Sequence, residues 1–210
     1  MTANEANNAA IQSASEGAGR LFRSYERHCG EPSPDTLFDL LNAAHSLNDR
    51  VQAAVNRDFH GIEEFIALKA IRNLAHHQEE VRANVRVLPT PGYSDLMMMC
   101  ILRRDQVDRA IDAVRGRWQE GTRAACEAKF HWFGPAVNIN PCLFNFVVKA
   151  YELLLELGVP LPEDAAALDA SYRYEDENGH SHYVEGTINA HAGVISKLLD
   201  DVVSEMPAPA

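Results

Sequence analysis

"IEEFIALKAIRNLAHHQEEVRANV", residues 62–85, decides the fold. Leu68, Ile71, Leu74 and Ala75 recur at helical spacing, which predicts one helix from about Ile62 to Val85. At 3.6 residues per turn, Lys69, Arg72, Asn73, His76, His77 and Glu80 share an opposite arc of about 140°. One turn earlier that same arc is apolar, with Ile62, Phe65 and Ile66. The face therefore begins greasy and turns polar halfway along. In one reading the polar half is solvent-exposed and the apolar half packs under another segment. In the other, the apolar half packs on a partner, such as a second copy of the chain, and the polar half lines a cleft at the edge of that contact.

The flanking segments extend the helical pattern. Upstream, "GEPSPD" breaks the chain, with Ser33 to cap, Pro34 for the first helical position and Asp35 to complement the dipole. Leu37, Leu40, Leu41, Ala44, Leu47, Val51 and Val55 then mark a helix through about residue 55. A short link after it predicts an antiparallel helix pair. An earlier helix runs through "GRLFRSYERHC". Downstream, "LPTPGYSD" is a breaker and "LMMMCIL" a short buried run. "RDQVDRAIDAVRGRWQEGTRAACEAKF" is helical in pattern, weakened at Gly116 and Gly121. Asn140 and Pro141 open a helix that Gly158 and Pro160 close. "SYRYEDENGHSHYVEG" switches to a two-residue period around Asn178-Gly179, which predicts a β-hairpin over 171–185. A last helix is expected over 187–203. The expected fold is mainly α: a single helical domain over 1–210, an antiparallel bundle with one small C-terminal hairpin.

Composition narrows the function classes. The chain has 210 residues, 46% of them apolar, and a net charge of −11. That charge argues against loose, non-specific nucleic-acid binding. The acidity is uneven: residues 151–210 hold 12 acids and 2 basic side chains, whereas 82–123 hold 8 arginines against 5 acids. The middle of the chain can therefore present a basic patch. Four scattered cysteines without a CxxC pair suit reduced thiols in a cytoplasm rather than a zinc ribbon. No basic, apolar leader and no membrane span is legible. Phosphate-loop and nucleophile-elbow patterns are absent.

"IRNLAHH" resembles the signature of HEPN domains, the all-helical domains of prokaryotic toxins, abortive-infection proteins and related ribonucleases. Their pattern sets Arg, often followed by Asn, four to six residues before His; Arg72, Asn73 and His77 match it. The upstream "LLNAAHSLNDRVQAAV" resembles the preceding helix of such domains, and the fold resemblance spans about 20–130. It implies a homodimer with Arg/His pairs meeting across the interface. It also implies a metal-independent endoribonuclease without cofactor, cutting RNA by 2′-hydroxyl attack in a defence or toxin–antitoxin role. The substrate class would be single-stranded RNA or tRNA loops, with an antitoxin or partner protein as a further contact.

The residue types suit that chemistry. An always-charged guanidinium such as Arg72 matches the extra negative charge of a phosphorane. An imidazole moves protons at neutral pH. Motif spacing favours His77, while the helical wheel keeps His76 nearer Arg72. Ser46 and Asp49, on the preceding helix, are secondary candidates. Where modified family members carry tyrosine, two residues after the histidine, this chain has Glu79. The alternative is a non-catalytic HEPN-like module in which these residues form a polar network at a partner interface. His180 and His182, on one face of the expected hairpin, form a conceivable metal pair with no third ligand in view.

Overall fold

The computed structural model describes residues 3–89 and 96–185, together with Ser204. Its elements in chain order are α1 (Ala3–Gly30), α2 (Pro34–Val55), α3 (Glu63–His77), β1 (Asn84–Pro89), β2 (Leu96–Arg103), α4 (Arg104–Asp112), α5 (Gln119–Lys129), β3 (His131–Phe133), β4 (Ala136–Asn138), α6 (Asn140–Glu156) and α7 (Ala166–Asn178). The fold is mainly helical, with one small antiparallel sheet in the order β1-β2-β4-β3. No helix among the described residues is long and apolar enough to cross a membrane.

The α1–α2 pair is antiparallel. Arg27 near the end of α1 pairs with Asp39 near the start of α2, and Ser13 near the other end meets Arg50. Ser33 caps α2 as its sequence predicts: its hydroxyl accepts from the Thr36 amide, and the Thr36 hydroxyl accepts from the Ser33 amide. Gly17 allows the close crossing, since a Cβ there would stand 2.7 Å from Cδ of Arg50.

α3 runs through the centre of the molecule, against α2, α4, α5 and α6. Leu68, Ile71 and Leu74 are buried, as the periodicity requires. Phe65 is buried as well, with its ring 5.6 Å from both Phe59 and Phe146. Of the apolar half-face, Phe65 is thus covered by its own chain, while Ile62 and Ile66 are half-buried against the same core.

The expected helix over 62–85 stops at His77. Nothing in "HQEEVRANV" breaks a helix by composition; a tertiary contact does. Gln106, buried on α4, donates its amide to the Glu80 carbonyl and accepts from the Arg82 N–H. Its side chain thus satisfies the backbone in extended form, and residues 84–89 go on to pair with 96–101. "LMMMCIL" is accordingly the strand β2, shared with β4 through Ile101–Asn138, Leu102–Val137 and Arg103–Ala136. The long helical pattern after it divides into α4 and α5 at Gly116, whose φ is +64°.

The hairpin expected over 171–185 is also corrected. Residues 166–178 are helical, and Gly179 at φ 68° is the left-handed C-cap of α7. Asn-Gly serves hairpin turns and helix ends for the same reason: both need positive φ. Tyr151 and Tyr172 bring their rings to 5.1 Å and seat α7 on α6. The helix expected over 187–203 lies outside the described residues.

Candidate functional site

A cleft of about 570 Å³ opens between α1, α2 and α3, lined by Ala10, Ser13, Asn42, His45, Ser46, Asp49, Arg50, Ala53 and Arg72. The α2 contribution is a polar stripe at 42, 45/46 and 49, one turn apart each time, so helical geometry alone puts these side chains on one face. Arg72 reaches this stripe from α3. Its Nε donates to Oδ1 of Asn42 at 3.1 Å, and its Nη1 to Oδ1 of Asn73 at 3.3 Å. Two neutral amides thus aim the guanidinium without cancelling its charge, and Nη2 carries no protein acceptor among the described residues. Burial lowers the pKa of Arg72 and the nearby Asp49 carboxylate opposes that, but an arginine remains a cation.

Beside it, Nδ1 of His45 stands 3.4 Å from Oδ2 of Asp49. Burial lowers the His45 pKa below the ordinary imidazole value of 6.5. The Asp49 carboxylate pulls it up, the Arg72 and Lys69 charges push it down, and the net shift is downward. His45 is therefore a neutral imidazole at pH 7, oriented through Nδ1 and able to accept a proton at Nε2. Arg50 completes the cleft. It donates to the hydroxyl and carbonyl of Ser13 and, at 3.4 Å, to Oγ of Ser46. Two guanidinium groups, a neutral histidine and hydroxyl donors around one carboxylate make a site suited to an anionic, phosphate-sized group.

The residues singled out from sequence divide into two sets. Arg72, Ser46 and Asp49 meet in the cleft, and Asn73 steadies Arg72 from beneath. His76 and His77 are not in the cleft lining. They occupy the last, exposed turn of α3, with rings stacked 4.6 Å apart and 5° from parallel. Their place is a helix end, not the mid-helix position expected. Glu79 is engaged elsewhere, in a two-pronged ion pair with Arg109 at 2.8 and 3.2 Å. Sequence reasoning missed Asn42, His45 and Arg50. The signal for Asn42 and His45 was present, since they extend the Ser46–Asp49 stripe by one turn.

Elsewhere His180 pairs with Glu175 at 2.8 Å, and His182 stacks on Tyr172 at 3.6 Å. Among the described residues no group of three His, Cys, Asp or Glu side chains is placed to hold a metal ion. Comparison with protein-family models, curated proteins and solved structures found no match in any of the three.

Proposed function

We propose that the chain is a HEPN-like, metal-independent endoribonuclease whose reaction centre is the α1–α2–α3 cleft. The observation that carries this reading is the meeting of an aimed Arg72 with the His45–Asp49 pair in one opening. In this scheme His45 takes the proton of an RNA 2′-hydroxyl, and the 2′-oxygen bonds to the adjacent phosphorus. Arg72 holds the charge that develops on the non-bridging oxygens. The bond to the 5′-oxygen breaks, leaving a 2′,3′-cyclic phosphate. The proton for the leaving oxygen is assigned to His77, or to His76 stacked against it, which stand outside the cleft lining on the exposed last turn of α3 and would act at the edge of the cleft. Asn73 and Asn42 position Arg72.

The resemblance of "IRNLAHH" supports single-stranded RNA or tRNA as substrate, a homodimer and a toxin or defence role, and the four scattered cysteines support a cytoplasmic setting. With Glu79 tied to Arg109, control at that position differs from tyrosine modification. The second reading, a non-catalytic helical binding module, draws on the net charge of −11, which repels RNA outside a local basic surface.

The test is cleavage of single-stranded RNA and tRNA by the purified protein. Arg72→Ala and His45→Ala are expected to lower the rate by about a hundredfold or more, the usual scale for losing charge stabilisation or acid–base catalysis. His77→Ala and His76→Ala identify the proton donor. If cleavage persists unchanged in Arg72→Ala, the assignment fails. If the wild type is inert and Arg72→Ala loses stability or changes oligomeric mass, the binding-module reading takes its place.

A further inference from the structure

The arginine-rich stretch 82–123 raises the question of where its charge goes. Four of its eight arginines are ion-paired with acids among the described residues. Arg103 pairs with Asp105, Arg104 with Asp108, Arg109 with both Glu79 and Asp105, and Arg123 with Asp112. At the α4–α5 corner the pattern changes. Arg115, Gly116, Arg117 and Trp118 are four consecutive exposed residues, and neither Arg115 nor Arg117 has an acidic partner among the described residues. Gly116, at φ +64°, turns the chain between the helices on either side. Asp112, the acid on the preceding turn, is already neutralised by Arg123, which leaves Glu120 as the nearest uncommitted one.

Trp118 is 64% exposed, more than any other large apolar side chain of the described residues. The Arg117 guanidinium lies over its ring, 4.7 Å from the centroid, and covers one face of the indole. No other ring or cation contact to Trp118 is present among the described residues. An exposed indole backed by one guanidinium, with a second exposed arginine three residues earlier in the chain, has the makings of a nucleobase platform. The ring stacks on any base, and the arginines meet the phosphates on either side. A protein partner would be served by an apolar neighbourhood, and no other exposed large apolar residue adjoins this corner in the chain.

We propose that the Arg115–Trp118 corner is a stacking site for one base of single-stranded RNA, without sequence preference. This rests on the reading of the cleft as an RNA site, and it places a second point of contact on a chain whose total charge otherwise disfavours RNA. The contact fixes the strand; it takes no part in the chemistry.

The probe is a ten-nucleotide 2′-O-methyl oligouridine, which lacks the attacking hydroxyl and is not cut. Titrating it against the full chain while recording tryptophan emission reads the corner directly, because Trp132 is the only other tryptophan and is half-buried. Saturable quenching is expected in the wild type and in Trp132→Phe. Trp118→Ala is expected to lose the quenching and to bind about tenfold or more weakly by anisotropy of a labelled oligomer. The Arg115→Ala/Arg117→Ala double variant is expected to flatten the salt dependence of binding. Circular dichroism confirms that these surface variants fold. Unchanged affinity in Trp118→Ala, or emission that ignores the oligomer in the wild type, overturns the proposal. The two readings fail separately: quenching through Trp118 without RNA cleavage removes the cleft assignment alone, and Arg72-dependent cleavage with unchanged binding by Trp118→Ala removes the corner alone.

Discussion

His45 is the residue whose environment reports most directly on the cleft. Its proton affinity is set by burial first, then by Asp49 in one direction and by Arg72 and Lys69 in the other. Removing the Arg72 charge in Arg72→Ala should therefore raise the His45 pKa, while Asp49→Asn should lower it further. Both shifts are readable by NMR titration of the imidazole protons, whether or not the protein turns over a substrate. Opposite signs, or no movement, would mean that these side chains do not share the cleft. Arg72 was legible because an arginine amid a helical polar arc is costly and visible. His45 was not, because a single histidine one residue from Ser46 looks like any polar position until α3 is brought across it. The reverse holds for His76 and His77. Their spacing drew attention, but the turn that carries them is the last of its helix, with both rings in solvent.

At the scale of elements, boundaries written in local chemistry were legible and those imposed by distant contacts were not. Ser33-Pro34 starts α2 and Gly158 ends the turn after α6 where the sequence indicates. The end of α3 is different. Gln-Glu-Glu-Val-Arg reads as helix by propensity, and contacts from α4 hold it extended: Gln106, 26 residues from Glu80, and Arg109 on Glu79. The Asn178-Gly179 pair failed as a hairpin signal because a helix C-cap uses the same backbone state. The buried half of α3 yields a sharp expectation. Phe65 fills the space between Phe59 and Phe146, so Phe65→Ala should cost about 3–5 kcal/mol in denaturant unfolding. A loss under about 1 kcal/mol would point to an aromatic cluster that collapses easily, or to a face that is not packed within the chain.

For the molecule as a whole, two buried ionisable groups make stability depend on acid. His28 is fully buried at the α1–α2 junction, with Nδ1 2.9 Å from the Thr36 hydroxyl, and burial lowers its pKa to about 4. The unfolded chain takes up that proton near pH 6.5, before the folded one does, so stability falls as pH drops from about 6.5 to about 4. The expected loss is about 3 kcal/mol. Glu64 on α3 acts in the same direction at lower pH. Burial works to raise its pKa, but the hydrogen bonds from Lys149 on α6, at 2.8 Å to each oxygen, and the charge of Lys129 on α5 outweigh it. Its folded pKa is depressed, so its contribution is present above the usual carboxylate range and disappears as pH falls through that lowered value. Urea midpoints measured from pH 7 to pH 4 should decline throughout, and His28→Gln should flatten the upper part of that decline. Joints of this kind also govern how the fold comes apart. The Asn138 side chain, buried where β4 meets α6, accepts from the Cys100 amide on β2 at 3.0 Å and from the Asn140 amide at the start of α6 at 3.1 Å. One carbonyl oxygen thus rivets two amides from separate layers. Neither can trade its proton for deuterium by local fraying, so sheet and helix should open as a single cooperative unit, with both amides exchanging at a common, slow rate.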